Sequence, residues 1–352
     1  MMNNKGIYIH IPFCKSKCFY CNFVSGKFDD IVIKKYFESL LFEINDRKKI
    51  FEKVDTIYFG GGTPSFVDKK YIKDVMDVLK ENYDLKNVKE VTIEMNPESI
   101  DKEKLNFYKE IGFNRFSLGV QSFNDDLLKV LGRVSDSEKI FKSLSCFEKE
   151  DNLSVDFIYG ITGYFIDISP VKDFPIKHIS SYLLTLEEGS KLYNSFLEKD
   201  DVWDEYFYLL EKLKEFGFLR YEVSNFSKEG YRSLHNLSYW DTSSVYIGYG
   251  VSAASYDGKE RMKNSDNIKL YMKGYMESMQ REFIDEDKRN LEYLMLGLRK
   301  SEGILYDEKF LNVVDKDKVN YFIDEGYLKI ENGRISCTDI GFLILNRILR
   351  EI

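Results

Sequence analysis

The sequence has no excess of positive charge. Its 352 residues include 51 Lys and Arg against 59 Asp and Glu, which gives a formal net charge of −8. Proteins that bind nucleic acid rely on basic patches to neutralise the phosphate backbone. This balance therefore argues against nucleic acid as a main partner.

Long apolar runs and a disulfide framework are also missing. No stretch of 18 apolar residues occurs, and the start MMNNKGIYIHIPFC has no apolar segment followed by a small-residue cleavage site. Five cysteines are few for a chain of this length, and three of them fall within eight residues, which does not suggest a disulfide framework. We therefore expect a cytoplasmic protein in a reducing compartment, without a transmembrane segment.

What the sequence does contain is a regular alternation of short β-rich runs and longer amphipathic segments, as in βα units around a parallel sheet. The predicted strands are Gly6–His10, Thr56–Phe59, Glu90–Glu94, Arg115–Leu118, Ser154–Ile158 and His178–Leu184. The predicted helices between them are Ile31–Phe51, Lys69–Asn82, Lys102–Ile111 and Ser137–Lys149.

The alternation weakens after Glu188, and the last part of the chain predicts a helix, a hairpin around Asn332-Gly333 and a final helix. We therefore predict an α/β fold: a partial (β/α)6 barrel of the TIM type, followed by a small helix-rich, winged-helix-like C-terminal domain. The predicted domains are residues 1–265 and 280–352.

The strongest chemical signal is CKSKCFYC, directly after the first predicted strand, with Cys14, Cys18 and Cys21 in C-x3-C-x2-C spacing. Thiolates suit iron–sulfur clusters, and three ligands on a [4Fe-4S] cluster leave one iron open. The alternative is a zinc site. It is less favoured because no second Cys/His pair lies at the usual spacing.

Further polar residues follow the other strands. FGGGTPS follows the second, Glu94 ends the third, Gln121 follows the fourth, and Asp156 lies near the end of the fifth. In α/β barrels the carboxyl ends of the strands meet at one mouth. We therefore expect these residues to converge there with the cysteine loop, although a glycine-rich turn by itself is more often a tight βα connection.

The cysteine spacing, with Tyr20 before the last cysteine, resembles the signature of the radical S-adenosylmethionine (SAM) superfamily. This resemblance implies a [4Fe-4S] cluster and SAM as cofactors, with SAM bound at the open iron. It also implies the residues that contact SAM. They are Tyr8, Tyr20, Gly61, Gly62, Thr63, Glu94, Gln121, Arg133 and Asp156.

Other segments narrow the resemblance to the oxygen-independent coproporphyrinogen III oxidase-like branch. They are IYIHIPFCKSKCFYCNF, IYFGGGTPS, EMNPES, RFSLGVQSF, DFIYG, HISSYLLTLEEG, YEVSNF, HNLSYW and YIGYGVSA. The branch holds true oxidases and HemW-type haem chaperones. Two features favour the chaperones: Asn22 and Phe23 follow Cys21 where oxidases continue into a further cysteine, and HNLSYW matches the haem-associated motif of the chaperones. Few residues precede the first strand, so the oxidases' N-terminal extension is not seen.

The resemblance implies haem as a third cofactor, with His235, Asn236, Tyr239 and Trp240 as haem-binding candidates. From the residues alone, a histidine beside aromatic residues is more often a packed core residue. The implied partners are haem-requiring apoproteins and an electron donor such as a flavodoxin or ferredoxin. The sequence leaves open whether the chain forms a homodimer.

The alternative function is oxidative decarboxylation of coproporphyrinogen III. Ser135 and Thr162 replace a histidine and a proline that are usual in the branch, which weakens that alternative. Radical modification of RNA is disfavoured by the acidic balance.

Overall fold

A computed structural model describes residues 4–195 and 201–352. Its strands form one sheet of twelve and one of three. The strands are β1 (Lys5–Ile11), β2 (Thr56–Gly61), β3 (Glu90–Met95), β4 (Arg115–Gln121), β5 (Leu153–Tyr159), β6 (Ile176–Leu183), β7 (Leu219–Arg220), β8 (Asn225–Ser227), β9 (Val245–Tyr249), β10 (Ala254–Tyr256), β11 (Glu260–Lys263), β12 (Gln280–Phe283), β13 (Ile304–Leu305), β14 (Leu328–Glu331) and β15 (Arg334–Cys337).

The helices lie between these strands and at the C-terminal end. They are α1 (Asp30–Asp46), α2 (Lys69–Asn82), α3 (Lys102–Ile111), α4 (Asp125–Val130), α5 (Ser137–Leu144), α6 (Trp203–Glu215), α7 (Leu234–Tyr239), α8 (Ile268–Lys273), α9 (Glu286–Gly297), α10 (Glu308–Leu311), α11 (Lys316–Asp324), α12 (Asp339–Leu343) and α13 (Leu345–Glu351). Within the described ranges, none of them is long and apolar enough to cross a membrane.

Strands β1 to β6 are parallel and neighbour one another in chain order. This confirms the predicted α/β class and the six βα-type strands. The sheet continues beyond them as a mixed sheet. On one edge β9 pairs with β1 in parallel and leads to antiparallel β10, β11 and β12, and on the other edge β8 and β7 are antiparallel.

Side-chain caps set the helix starts, since Asp29, Asp68 and Asp101 each accept a backbone N–H of the first turn. Helix α1 ends at Asp46, five residues before the predicted end. There the backbone of Arg47 becomes extended, and its guanidinium donates to Glu43 Oε1 and to the carbonyl of Gly248. Burying this ion pair against β9 ends the helix.

The two faces of the parallel strands differ, because successive side chains point to opposite faces. On one face Ile7, Ile9, Ile57, Phe59 and Ile93 are fully buried and belong to the main hydrophobic core. The other face is polar, with Tyr8, Tyr58, Glu94, Arg115, Asp156 and His178 on the intervening positions. This polar face holds the candidate site.

The C-terminal part has its own hydrophobic core, which includes Leu298, Phe322 and Ile335. The hairpin predicted around Asn332-Gly333 joins β14 to β15, and both residues have positive φ, as a type I′ hairpin turn requires. Strand β12, which opens the predicted range 280–352, pairs with β11 in the main sheet.

Candidate functional site

A cavity of about 460 Å³ opens at the carboxyl ends of the parallel strands. It brings together the three cysteines and all of the predicted SAM-contacting residues except Tyr8. The predicted residues that line it are Cys14, Cys18, Tyr20, Cys21, Gly61, Gly62, Thr63, Glu94, Gln121, Arg133 and Asp156.

The cysteine loop is tied at its base and touches two other strand ends. The backbone N–H of Cys14 donates to the carbonyl of Gly26 (2.9 Å). Thr63 Oγ1 donates to Cys14 Sγ (3.6 Å), and Arg133 donates to Cys18 Sγ (3.5 Å). Burial raises the pKa of the Cys14 and Cys21 thiols.

The three thiols suit a polynuclear cluster better than a single ion. Among the described residues, no group of three His, Cys, Asp or Glu side chains is placed to hold one metal ion. A [4Fe-4S] cluster binds each thiolate through a different iron, so its ligands need not converge on one point. The donor set therefore fits such a cluster.

In the FGGGTPS segment, glycine is required by close packing as much as by any ligand. A Cβ on Gly62 would lie 2.9 Å from the carbonyl oxygens of Ile11 and Phe13. A Cβ on Gly61, whose φ is +111°, would lie 2.5 Å from the ring of His10. Glycine at these positions lets the end of β2 lie directly against the cysteine loop.

Glu94 is held by two donors at the edge of the cavity. Tyr58 OH donates to Glu94 Oε1 (2.7 Å), and the backbone N–H of Gly61 donates to Oε2 (3.0 Å). Burial raises the pKa of Glu94 to about 7, more than these two donors lower it. Its carboxyl group therefore exchanges its proton near neutral pH.

Arg133 brings a positive charge to the same cavity. Its guanidinium donates to Asn96 Oδ1 (3.0 Å) and to the carbonyl of Gly119. Its Nε is buried and has no partner within the described residues, which is uncommon for a buried donor. A carboxylate of a bound ligand would satisfy it.

Asp156 adds a second acid, with Ser117 Oγ 3.3 Å from its Oδ2. Burial raises the pKa of Asp156. Two acids and an arginine around one cavity suit a ligand with both ammonium and carboxylate groups. SAM is such a ligand, and it also carries a positive sulfonium.

Gln121 sits at a break in the regular pairing. The register of β4 against β5 shifts between Gly119 and Gln121, and Gln121 has a φ of +68°. Such backbone strain in a non-glycine residue is frequent at functional sites. The irregularity lies where the fourth strand enters the cavity.

The structure leaves Tyr8 outside the cavity. Its ring stacks on that of Tyr58 (6.2 Å between centroids), and its hydroxyl lies 3.0 Å from His10 Nδ1. Asn96 and Tyr182 line the cavity instead. The sequence could have predicted Asn96 as a site residue, because it is a polar residue two positions after Glu94, just beyond the end of the third strand. Nothing in the sequence distinguishes Tyr182 from other tyrosines.

The HNLSYW segment lies at the opposite end of the polar face. Helix α7 packs against β2, and His235 is 1% exposed. Its ring nitrogens lie 2.9 Å from Thr56 Oγ1 and 3.0 Å from Tyr239 OH. Burial lowers the pKa of His235 to about 3. Both nitrogens are occupied, so in this conformation His235 is a packed core histidine without a free lone pair for haem iron.

A second histidine on this face, His178, is also structural. His178 is fully buried, with Nδ1 2.7 Å from Ser154 Oγ and Nε2 2.7 Å from Tyr221 OH. Cys337 is buried in the C-terminal core.

Parallel strands with a three-cysteine loop after the first one, facing a cavity lined by glycines, acids and an arginine, define a radical SAM protein. Residues 8–169 match the model of the Radical SAM superfamily, and residues 284–344 match that of the HemN C-terminal domain.

Relatives cover almost the whole chain. The heme chaperone HemW of Lactococcus lactis is 31% identical over 98% of this chain and 96% of its own length. That of Bacillus subtilis is 34% identical over 85% of this chain and 84% of its own. The chain therefore belongs to the HemW family of radical SAM proteins, and its cofactors include a [4Fe-4S] cluster and SAM.

A solved structure shows the same fold. Coproporphyrinogen III oxidase (HemN) from Escherichia coli superposes with a TM-score of 0.85 over 99% of this chain and 89% of its own, at 21% identity. At this identity the likeness concerns the fold.

Proposed function

We propose that this protein is a haem chaperone, which binds haem together with a [4Fe-4S] cluster and SAM and delivers the haem to apoproteins. The observation that carries the proposal is the match over 98% of the chain to a relative named heme chaperone HemW. The radical SAM core is therefore assigned to a haem carrier.

Within this function, Cys14, Cys18 and Cys21 hold the cluster. When bound, a reduced cluster with an open iron supplies an electron to SAM. Arg133 Nε would pair with a carboxylate of the bound ligand, and Glu94 and Asp156 would be available to its positive groups. The supporting observation is that all of these side chains line one cavity.

The second candidate is coproporphyrinogen III oxidase. The fold likeness to HemN supports it. Phe23 argues against the oxidase, because it stands where an oxidase has a further cysteine. Its side chain is 70% exposed beside the cysteine loop.

Two measurements on one anaerobically reconstituted sample separate the candidates. The first titrates hemin and follows the Soret band. The second adds coproporphyrinogen III, SAM and a reductant and follows protoporphyrinogen. We expect stoichiometric hemin binding and no conversion of coproporphyrinogen III. Conversion without stable hemin binding would overturn the chaperone assignment.

Two further expectations belong to this proposal: a flavodoxin or ferredoxin reduces the cluster, and the protein resides in the cytoplasm. Whether the chain forms a homodimer stays open. None of the five cysteines forms a disulfide, which suits a reducing compartment. Analytical ultracentrifugation with and without hemin checks the dimer, and cluster reduction by a purified flavodoxin checks the donor.

A further inference from the structure

The cysteine loop differs in charge from the rest of the chain. Residues 14–28, CKSKCFYCNFVSGKF, include three lysines and no acid, although the whole chain has a formal net charge of −8. Lys15 and Lys27 are exposed, Lys17 is half-buried, and Phe23 is 70% exposed. These four side chains, which we call the loop face, form a positive surface on an acidic protein.

We propose that the loop face is the docking surface for a one-electron carrier protein whose redox centre is surrounded by acidic residues. The inference rests on the proposed function, in which such a carrier reduces the cluster. It adds where the carrier binds and which charge its surface has.

The lysines of the loop face are not neutralised by the chain itself. Within the described residues none of the three forms an ion pair, and Lys17 Nζ donates to the carbonyl of Phe23 (3.0 Å). Exposed lysines elsewhere on the main domain are commonly paired, as Lys69 is with Glu103 (2.7 Å). The unpaired lysines are thus concentrated where the cysteines are.

Two acids beside the loop have other partners. Glu187 Oε2 accepts from Asn22 Nδ2 (2.9 Å), and Asp29 Oδ1 accepts from the backbone N–H of Val32 at the start of α1. Neither carboxylate forms an ion pair with a lysine of the loop face in the described part of the chain. The three ammonium groups are therefore available to acids on a partner protein.

The loop face lies next to the cluster ligands. Lys15 follows Cys14, Lys17 precedes Cys18, and Cys18 and Cys21 are only half-buried. Electron transfer slows steeply as the distance between two redox centres grows. A carrier seated on this face would have only the loop between its redox centre and the cluster.

The size and chemistry of the loop face favour a transient complex. Complexes between electron-transfer proteins bury little surface, and charge steers their encounter. Three free ammonium groups supply that steering, and the exposed ring of Phe23 supplies an apolar contact. With a single exposed aromatic side chain, the loop face offers little apolar surface for a permanent interface.

The test follows reduction of the cluster in anaerobic stopped-flow experiments, through the loss of iron–sulfur absorbance. One reductant is reduced flavodoxin, an acidic carrier protein, and the other is dithionite, a small ion that needs no docking surface. The variant is Lys15→Glu with Lys27→Glu in the full-length, cluster-loaded protein, and neither lysine is among the residues that line the cavity. The matched control is Lys142→Glu with Lys149→Glu, which makes the same change in net charge at two exposed lysines distant in sequence.

We expect flavodoxin to reduce the variant about tenfold more slowly, or slower still, at low ionic strength. Reduction by dithionite and the iron content should stay unchanged. Added salt should shrink the difference, because salt screens exposed charges. The control should match the unmodified protein with both reductants.

Equal rates with flavodoxin for the variant and the unmodified protein would overturn the docking surface and leave the chaperone function standing. Equal slowing of the variant and its control, or slowing with dithionite as well, would overturn it too, because the effect would not come from docking at the loop. If the variant lost only self-association in ultracentrifugation, the face would belong to a second copy of the chain. If flavodoxin did not reduce even the unmodified protein while dithionite did, the carrier would be wrong. Failure of the chaperone function is measured separately, by the hemin titration of the unmodified protein.

Discussion

The two ends of the polar face of the main sheet contain similar polar residues, but these residues differ in whether their hydrogen-bonding groups are satisfied within the chain. At the carboxyl ends, Glu94, Asp156 and Arg133 line a cavity, and Arg133 keeps a buried nitrogen without a partner within the described residues. At the amino ends, His235 has both nitrogens engaged, and Glu90 accepts from the backbone N–H groups of Leu234 and His235. The first end is arranged to receive a ligand, and the second is closed by the chain itself.

Two residues connect these ends. Tyr58 donates to Glu94, and its ring stacks on that of His235 with 5.1 Å between centroids. Arg115 is 1% exposed, and its Nε and one terminal nitrogen have no partner within the described residues. Its charge favours the ionised forms of Glu94 and Asp156 and so opposes the effect of burial on their pKa values. The polar face is thus one electrostatic unit with an open and a closed end.

The largest expected effect is at the open end. Cys18→Ser should abolish cluster binding, because the loop offers only three thiolates and the substitution leaves two. Iron content and the iron–sulfur absorbance of the reconstituted protein measure it. Cys146→Ser, on a half-buried cysteine away from the cavity, is the control and should leave both unchanged. A Cys18→Ser protein with normal iron content would refute the cluster assignment.

At the closed end, His235→Ala should lower the free energy of unfolding by about 4 kcal/mol, because it leaves a cavity and strands the hydroxyls of Thr56 and Tyr239. Urea denaturation checks this value. Asn236→Ala, at the neighbouring half-buried position, should cost less than about 1 kcal/mol. If His235→Ala were as stable as the unmodified protein but lost the Soret band of bound hemin, the imidazole would be an iron ligand after all.

Glu94 should make the stability of the ligand-free protein depend on pH. Its folded pKa, about 7, lies above its ordinary value of 4.5. Its stabilising contribution is therefore complete below pH 4.5 and is lost as the pH rises through 7. Relative to Glu94→Gln, the unmodified protein should lose about 3 kcal/mol of unfolding free energy over this range.

Urea denaturation of the two proteins at several pH values measures that difference, in which the other titrating groups cancel. Parallel pH curves for the unmodified protein and Glu94→Gln would contradict the raised pKa.

The smallest effect concerns the link between the ends. Tyr58→Phe removes the hydrogen bond to Glu94 and keeps the ring on His235, so it should cost about 1 kcal/mol. It should also move the pH dependence of stability upward, because the Tyr58 hydroxyl lowers the pKa of Glu94. A change in stability without any shift of that curve would show that the link is packing alone.

Much of the fold and of the open end could be predicted from the sequence. The period of the apolar residues located the six parallel strands, and polar residues at their carboxyl ends indicated which side chains would meet. Tyr8 points to the same face as Glu94 but lies lower on its strand, against His10, and does not line the cavity; its contact with SAM stays a prediction. Strand β12 was also not predicted, because its four residues, QREF, are exposed and show no apolar period.

The sequence by itself determined the cysteine loop, the order of the βα units and the residues that end each strand, since these depend on local spacing and on the two-residue period of a strand. Only the tertiary structure decided that His235 closes one end of the polar face. Two of the partners of His235, Thr56 and Glu90, lie far away in the chain, and a buried histidine and a ligand-binding histidine look alike until those partners are in place.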